Sequence, residues 1–355
     1  MAKDFMVKES MLDDYQMELL DKTIDTSLVV SGCAGSGKSV IALQKARRIQ
    51  AERGSDYTVI VYTKALCDYM QAGKQELGLT NSFFYHWEWK NRHNMPKADY
   101  VIVDEAQDFT REEIQEFISS ARKNIFFFGD TAQSMFNSMK IQKGLGPTMT
   151  MSQIECMLPS AESYKLFFNY RLPKAIAKIT QDYVGINVPR YTERTYKNDE
   201  VTIPKIIRYS TGEDQIKAIS RIIKSKHLTD VGILVPHNDA IPGMSRLLNS
   251  ENIDHEIRYN DKEDWHNNID TLNFNSDNPK LMTYHSAKGL QFETVFLPYV
   301  TSCTSDDDRK SLYVAMTRTY RNLYIMYSGG FIPDPLSNVP SALFSVREID
   351  TVEDI

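Results

Sequence analysis

The glycine-rich loop at residues 32–39 constrains the fold of this chain more than any other sequence feature. It reads Gly-Cys-Ala-Gly-Ser-Gly-Lys-Ser and matches the pattern G-x-x-x-x-G-K-[ST]. An apolar run at residues 27–31 precedes the loop and predicts a buried strand, and a helix-forming stretch at residues 40–53 follows it. A strand, a glycine loop and a helix N-terminus in this order surround phosphate groups with backbone N–H groups. The sequence therefore predicts a parallel α/β sheet with a nucleoside triphosphate site.

Each position of this loop has an expected task. Lys38 reaches the β- and γ-phosphates, and Ser39 holds Mg²⁺. The other loop residues expected to line the phosphates are Gly32, Ala34, Gly35, Ser36 and Gly37. A match of this length also arises by chance in ordinary loops. The strand before it and the helix after it favour the phosphate site.

The length and charge of the chain bound its class. Its 355 residues indicate about two domains. With 41 Lys and Arg against 47 Asp and Glu, the formal net charge is −6. This balance argues against a strong nonspecific polycationic grip on nucleic acid, although it permits a local basic groove.

The ends and the cysteines of the chain indicate its compartment. Residues 1–6 lack the apolar segment of a secretory signal, and no apolar run approaches the roughly 18 residues of a membrane span. The cysteines are widely spaced and predict reduced thiols rather than disulfides or a zinc site; they are Cys33, Cys67, Cys156 and Cys303. We therefore expect a cytoplasmic protein without a membrane partner.

Apolar runs without polar alternation predict strands that are buried on both faces, as in parallel sheets. In the first half they lie at residues 28–30, 58–62, 100–103 and 125–128, and in the second half at residues 165–168, 231–235, 281–283, 294–297 and 323–327. The helical stretches between them predict two doubly wound α/β domains. We expect the first domain at residues 1–160, the second at residues 161–330, and a tail at residues 331–355.

Two acidic residues follow the apolar strand that ends at Val103. Carboxylates at the carboxyl end of a parallel strand face the crevice where phosphates lie. Asp104 is expected to orient Mg²⁺ and Glu105 to activate the attacking water. The alternative is a solvated acidic turn. A second buried strand ends in the pattern G-D-x-x-Q, where Gln133 is expected to hydrogen-bond the γ-phosphate unless it is an ordinary loop residue.

Six sequence blocks along the chain resemble the motifs of one family and occur in the same order as in that family. They are G-C-A-G-S-G-K-S, V-D-E-A-Q-D, G-D-T-A-Q, N-Y-R, T-Y-H-S-A-K-G-L-Q-F-E and V-A-M-T-R, and with the segment around Gln16 they span roughly residues 10–327. The set resembles the UvrD/Rep-type superfamily 1 helicases. The resemblance implies two tandem RecA-like domains with parallel sheets and an ATP site in the cleft between the domains.

The resemblance extends to the nucleotide. It implies that Gln16 reads adenine, because one amide can pair with both the N6 donor and the N7 acceptor, and that the nucleotide is ATP. It places Tyr170 on the adenine ring and Gly289 and Gln291 near the nucleotide. Many family members carry a glutamate where this chain has Gln291, and a glutamine still hydrogen-bonds a ribose hydroxyl.

Two arginines match the positions that approach the γ-phosphate in the family. They are Arg171 in N-Y-R and Arg318 in V-A-M-T-R. A planar guanidinium suits a phosphoryl group whose oxygens carry charge in the transition state. Each arginine taken alone is more often a surface ion-pair partner, and the matched blocks favour the catalytic interpretation.

The same resemblance implies a nucleic-acid surface. Its candidate residues are Thr63, His86, Phe136, Thr283, His285 and Ser286. Core packing is an equally weighted alternative for the aromatic segment around His86. After G-D-x-x-Q the family usually has a base-stacking Trp followed by Arg, where this chain has Ser138 and Met139. Because base stacking contributes about 1–3 kcal/mol per base, we expect the chain to bind single-stranded nucleic acid more weakly or through different contacts.

Two segments are shorter than in the family. Only a short stretch separates Met70 from Asp104, and only the polar residues 260–278 remain for a second inserted subdomain. We therefore expect both accessory subdomains to be absent or vestigial.

The first functional hypothesis is an ATP-dependent translocase or helicase that moves 3′ to 5′ on single-stranded or tailed DNA, with ATP and Mg²⁺ as cofactors. The alternative is an ATP-fuelled DNA-sensing or regulatory subunit of a nuclease-containing defence or repair complex, with a protein partner that supplies the missing parts. An RNA-directed motor is a third, weaker possibility.

Overall fold

The computed structural model describes residues 11–22, 24–54, 56–74, 76–188, 195–259 and 269–348. The chain forms two compact units, Met1–Tyr170 and Arg171–Ile355, and each is built around one sheet. Within the described ranges no helix combines the length and the apolar character that a bilayer crossing requires.

The first unit alternates strands and helices along the chain. Its elements are α1 (Asp14–Asp21), β1 (Leu28–Gly32), α2 (Lys38–Arg53), β2 (Tyr57–Val61), α3 (Lys64–Lys74), β3 (Phe83–Tyr85), α4 (His86–Asn91), β4 (Ala98–Val103), α5 (Arg111–Ser120), β5 (Ala121–Gly129), α6 (Asn137–Gln142), α7 (Met151–Met157) and β6 (Glu162–Leu166).

The six strands of the first unit have the order β3-β2-β4-β5-β1-β6, and every pair is parallel. The central strands are apolar at nearly every position because both faces are covered by helices. In this order the carboxyl ends of β4, β5 and β1 are neighbours. The sheet therefore brings together the three segments that carry the glycine loop, the acidic pair and the G-D-x-x-Q turn.

The second unit follows the same plan. Its elements are α8 (Lys174–Ile179), β7 (Lys205–Tyr209), α9 (Gly212–Lys226), β8 (Val231–Val235), α10 (Ala240–Ser250), β9 (Glu256–Tyr259), β10 (Ile269–Asp270), β11 (Lys280–Thr283), β12 (Phe292–Leu297), α11 (Asp306–Met316), β13 (Thr319–Ser328) and β14 (Ser345–Glu348).

The eight strands of this unit have the order β10-β9-β11-β8-β12-β13-β7-β14. Only the edge pair β10 and β9 is antiparallel in the described sheet. Helix α9 begins with a capping box, in which Thr211 and Asp214 satisfy each other's backbone N–H groups, and it buries an isoleucine-rich face on the sheet. The predicted α/β class with parallel sheets is confirmed.

Two strands differ from their expected places. The strand expected at residues 165–168 in the second domain is β6, and it pairs with β1 of the first sheet, where Lys165 lies opposite Ser31. Its mostly exposed side chains fit an edge strand. The expected tail contributes β14, which pairs with β7 at the edge of the second sheet. The first unit extends to Tyr170, beyond the domain boundary expected at residues 160 and 161.

Five of the described strands were not expected from apolar runs, namely β3, β7, β9, β10 and β14. Strand β3 has three residues, too few for a clear pattern. In β7 the polar residues Lys205 and Arg208 interrupt the apolar pattern, and β14 lies in the expected tail. The stretch between Met70 and Asp104 supplies the end of α3, then β3, α4 and β4. Of the polar stretch 260–278, residues 260–268 lie outside the described residues and the rest includes β10.

Candidate nucleotide-binding site

The glycine loop connects β1 directly to α2, as the sequence predicts. Gly35 and Gly37 have φ values of 75° and 86°, in the left-handed region that favours glycine. A Cβ atom at Gly37 would lie 2.4 Å from Nε2 of Gln16. The backbone conformation therefore favours glycine at position 37, and a larger side chain there would displace the Gln16 amide.

The Lys38 ammonium is held against the backbone of its own loop. Its Nζ donates to the carbonyl oxygens of Gly32 at 3.0 Å and Cys33 at 2.9 Å, and the side chain is largely buried. These hydrogen bonds fix a positive charge at the loop, where phosphate oxygens would accept from the same ammonium.

Gln16 lies beside the loop and is 5% exposed. Its Nε2 donates to the carbonyl oxygen of Ser36 at 3.1 Å. Its Oε1 accepts from the backbone N–H of Asp13, and the Asp13 carboxylate accepts from the Gln16 N–H, which completes a capping box at the start of α1. The contact places Gln16 at the phosphate loop, and its adenine contact stays a prediction.

The two expected Mg²⁺ ligands are in direct contact. The Ser39 hydroxyl donates to Oδ2 of Asp104 at 2.5 Å. Asp104 is 0% exposed, and its other carboxylate oxygen accepts from the Glu105 backbone N–H at 2.9 Å. Burial raises the pKa of Asp104, and the neighbouring charge of Glu105 acts in the same direction.

This donor set suits a divalent cation. A hydroxyl and a carboxylate are hard oxygen ligands, and Mg²⁺ is commonly held by one or two such protein groups together with phosphate oxygens. A cation between Ser39 and Asp104 would also offset the cost of the buried negative charge. The residues present therefore fit the ion that the sequence predicts.

Glu105 lies next to this pair in a constrained backbone conformation. Its φ of 55° is in the left-handed region, and the residue begins a short 3₁₀ turn, Ala106–Asp108. Its Oε2 accepts from Nε2 of Gln107 at 2.5 Å. The expected general base is thus buried, and a neighbouring amide fixes one of its oxygens.

The G-D-x-x-Q turn is connected to the same amide. The Asp130 N–H donates to Oε1 of Gln107 at 2.9 Å, and Nε2 of Gln133 donates to Oδ2 of Asp130 at 2.7 Å. Burial raises the pKa of Asp130. The sequence pattern predicts a role for Gln133, whereas Gln107 and Asp130 are not among the predicted site residues. Both are polar residues inside the recognised blocks at the ends of buried strands, which was the available signal.

Tyr170 ends the first unit close to the phosphate loop. Its backbone N–H donates to the carbonyl oxygen of Gly35 at 2.9 Å. The ring lies 6.3 Å from that of Phe168 in an edge-on arrangement. The structure therefore brings Tyr170 to the loop, and its expected stacking on adenine stays a prediction.

In the second unit, Arg171 contacts another predicted nucleotide residue. Its Nε donates to Oε1 of Gln291 at 3.1 Å, and one terminal nitrogen donates to the carbonyl oxygen of Thr317 at 3.3 Å. The guanidinium is thus held from two sides by the segments that contain T-Y-H-S-A-K-G-L-Q-F-E and V-A-M-T-R. Gly289, two residues before Gln291, has a φ of 83° that permits this turn.

Arg318 is 1% exposed and is held by groups of its own unit. Its guanidinium donates to the carbonyl oxygens of Val314 at 2.9 Å and Leu290 at 3.3 Å, and to the hydroxyl of Thr317 at 3.0 Å. These contacts join the end of α11 to the turn before β12. The contact of Arg318 with the γ-phosphate stays a prediction.

The nucleic-acid candidates of the first unit have different environments. The Thr63 hydroxyl accepts from the Leu66 N–H at 3.2 Å. The His86 ring lies 4.9 Å from the Phe109 ring, and burial lowers the pKa of His86 to about 4. Phe136 is 5% exposed, and its ring lies 4.3 Å from that of Tyr62. His86 and Phe136 therefore pack in the core, and their nucleic-acid contacts stay predictions.

The candidates of the second unit form a small turn after β11. The Thr283 hydroxyl lies 3.1 Å from the Ser286 hydroxyl and accepts from the Ser286 N–H at 3.1 Å. Burial lowers the pKa of His285 to about 4, and the nearby charge of Lys288 adds to this effect. The three predicted residues are thus adjacent, and His285 is neutral at physiological pH.

A parallel α/β sheet that brings a phosphate loop, a Ser–Asp pair and an acidic base together defines the class of P-loop nucleotide-binding proteins. The viral superfamily 1 RNA helicase core domain matches residues 28–218, and the UvrD-like helicase C-terminal domain matches residues 280–326. The chain belongs to the superfamily 1 helicases, and its resemblance to the UvrD type is supported by the match at residues 280–326.

Curated relatives include an ATP-dependent DNA helicase PcrA from Staphylococcus epidermidis, 26% identical over 270 residues, which covers 66% of this chain and 33% of the relative. A PcrA from Staphylococcus aureus is 25% identical over 286 residues, with 70% and 36% covered. This chain spans about a third of the length of these relatives. The arterivirus nonstructural protein 10 helicase, solved with DNA, is 16% identical with a TM-score of 0.42 and covers 88% of this chain and 62% of its own.

Proposed function

We propose that this chain hydrolyses ATP with Mg²⁺ and uses the reaction to move along single-stranded DNA in the 3′ to 5′ direction. The observation that supports it most is the contact between Ser39 and Asp104, which assembles the cation ligands beside the expected base Glu105. DNA as the substrate is favoured by the named activity of the PcrA relatives.

In this proposal the residues of the first unit have separate tasks. Lys38 binds the β- and γ-phosphates and neutralises their charge. Ser39 and Asp104 would hold Mg²⁺, which would supply positive charge against the phosphate oxygens. Glu105 accepts a proton from the attacking water, and Gln133 hydrogen-bonds the γ-phosphate.

The second unit contributes the arginines. Arg171 and Arg318 stabilise the charge on the transferred phosphoryl group, as guanidinium groups do in other nucleotidases. We propose that ATP favours closure of the two units and that hydrolysis reverses it, so that the nucleic acid is moved by a population shift. Thr283, Ser286 and Thr63 would bind the strand through their hydroxyl groups.

A second candidate function is an ATP-fuelled DNA sensor or regulatory subunit of a nuclease-containing complex. The observation that favours it is the environment of Phe136, which is buried against Tyr62 instead of being exposed for base stacking. Ser138 and Met139 follow in place of the family's Trp and Arg. A protein partner would then supply the contacts with the DNA strand that these residues do not make.

One experiment tests the proposal and separates the two candidates. ATP turnover is measured without nucleic acid, with single-stranded DNA and with single-stranded RNA of the same sequence. We expect stimulation by DNA, and a loss of turnover of about 10²- to 10⁴-fold in Glu105→Gln with ATP binding retained. A rate that no nucleic acid changes would overturn the proposal, and stimulation by RNA alone would reassign the substrate.

The same preparation is then tested on a tailed DNA duplex. Unwinding by the purified chain supports the translocase. Stimulated hydrolysis without unwinding supports the sensor.

A further inference from the structure

The side-chain amide of Gln107 connects two blocks that are distant in sequence. Its Nε2 donates to Oε2 of Glu105 at 2.5 Å, and its Oε1 accepts from the Asp130 N–H at 2.9 Å. Gln107 is 0% exposed, so water does not compete for either bond. Both ends of the amide are therefore used within the protein.

The amide of Gln107 satisfies both partners at once. A Glu105 carboxylate accepts hydrogen bonds, whereas a backbone N–H only donates, so the side chain between them needs one donor and one acceptor. A glutamate at position 107 would still accept from the Asp130 N–H, but it would place a second negative charge against Glu105. An asparagine has the right groups and lacks one methylene of reach.

The neighbouring strand end is shaped around this amide. A Cβ atom at Gly129 would lie 2.6 Å from Oε1 of Gln107 and 2.4 Å from the sulfur of Met151. Because real Cβ atoms do not approach other atoms this closely, glycine at position 129 allows β5 to end against the amide. The pairing of β4 with β5, in which Val103 lies opposite Phe127, fixes the two strand ends at this distance.

The path continues into the G-D-x-x-Q turn. Asp130 accepts from the Ala132 N–H at 3.1 Å through one carboxylate oxygen and from Gln133 at 2.7 Å through the other. A hydrogen-bonded chain therefore runs from Glu105 through Gln107 and Asp130 to Gln133. A movement of Gln133 toward a new partner would change its bond with Asp130, whose backbone N–H donates to Gln107.

We propose that Gln107 is a positioning residue that holds the Glu105 carboxylate for proton transfer and couples its position to the Asp130–Gln133 turn. This inference rests on the proposed ATP hydrolysis. By binding Oε2 of Glu105, Gln107 fixes the orientation of the carboxylate that accepts the proton of the attacking water. The contact of Gln133 with the γ-phosphate then sets the alignment of the base through Gln107.

The test compares Gln107→Met, which keeps the length and removes both hydrogen bonds, with Gln107→Glu, which keeps the bond to Asp130 and repels Glu105. We expect kcat for ATP to fall about 10- to 100-fold in both variants, as for other residues that orient a reacting group. The dissociation constant for ATP stays within about twofold, because neither change touches the phosphate loop.

Ser134→Ala is the matched control. Its hydroxyl donates to the Gln107 carbonyl oxygen at 3.2 Å, so the variant perturbs the same turn without touching the amide. We expect wild-type kcat in this control. Melting temperatures are measured for all variants, and a kcat loss in Gln107→Glu at a wild-type melting temperature separates positioning from general stability.

The coupling is tested by the double variant Gln107→Met with Gln133→Ala. If the two residues act through one path, the double variant is about as slow as the slower single variant. Independent, multiplicative losses would overturn the coupling, and wild-type kcat in Gln107→Met or parallel loss of ATP binding would overturn the positioning role. Absence of hydrolysis in the wild-type chain would overturn the proposed function itself, which is a distinguishable result.

Discussion

The hydroxyl of Ser39 donates to the carboxylate of Asp104 at 2.5 Å, although the two residues are far apart in sequence. The contact exists because β1 and β4 both border β5, so that their carboxyl ends open onto the same edge of the sheet. Ser39 is the second residue of α2, directly after the glycine loop, and Asp104 follows the last residue of β4. The sheet topology itself therefore brings two hard oxygen ligands into contact.

Removal of this hydroxyl is expected to weaken the use of Mg²⁺. In Ser39→Ala the cation loses one ligand and Asp104 loses a hydrogen-bond donor, so we expect the Mg²⁺ concentration for half-maximal ATP hydrolysis to rise about 10- to 100-fold. The measurement is steady-state turnover against Mg²⁺ at fixed ATP. Ser31→Ala in β1 is the control, since the Ser31 hydroxyl donates to the Tyr164 carbonyl oxygen at 3.4 Å and not to Asp104. An unchanged Mg²⁺ curve in Ser39→Ala would contradict the ligand assignment.

Lysine is not expected to replace Arg171. The planar guanidinium donates to Gln291 and to the Thr317 carbonyl oxygen at the same time, and a lysine ammonium cannot reproduce this fork. We expect Arg171→Lys to lower kcat by about 10³-fold or more, with a smaller change in KM for ATP. The control is Arg321→Lys, because Arg321 pairs with Glu293 at the surface. If Arg171→Lys retained wild-type kcat, Arg171 would not stabilise the transition state.

The burial of His86 predicts a pH dependence of stability. Its pKa is lowered from 6.5 to about 4 by burial, while Glu113 opposes the shift and Lys140 supports it. Between these values the unfolded chain binds more protons, so His86 contributes stability that is complete above pH 6.5 and is lost as the pH falls toward 4. In the wild type the free energy of unfolding decreases as the pH falls from 6.5 to 4. We expect this decrease to be smaller in His86→Gln by up to about 3 kcal/mol.

The measurement is chemical unfolding at several pH values, with the exposed His93→Gln as the control. Comparison of slopes removes the contribution of carboxylates that titrate in the same range. A slope in His86→Gln equal to that of the wild type would show that folding does not lower the pKa of the His86 ring.

Much of this site follows from the sequence because it depends on local pattern. The five residues of β8 have the bounds expected from their apolar run, and the loop between β1 and α2 has the expected glycines. The meeting of Ser39 with Asp104 follows from the rule that loops at the carboxyl ends of parallel strands face one crevice.

The parts that the sequence did not reveal depend on strand register and on competing partners. The task of Gln107 depends on which strand lies beside β4 and where that strand ends, which no local pattern contains. The burial of Phe136 against Tyr62 is likewise a matter of packing, since an aromatic residue after a polar turn fits a core or a binding surface equally well. The sequence places β6 in the second half, because its polar and mostly exposed positions give no indication that it pairs with β1.

The Lys38 contacts with Gly32 and Cys33 have a consequence for nucleotide selection. The ammonium already has two carbonyl oxygen partners in the loop. A phosphate oxygen that binds it replaces one of these carbonyl oxygens, so the gain in binding free energy is only the difference between the two hydrogen bonds. We expect a triphosphate to gain most from this exchange, because charge-assisted hydrogen bonds to its β- and γ-phosphate oxygens are stronger than those to neutral carbonyl groups. In the proposed site the carbonyl groups of the loop therefore compete with the nucleotide for the Lys38 ammonium.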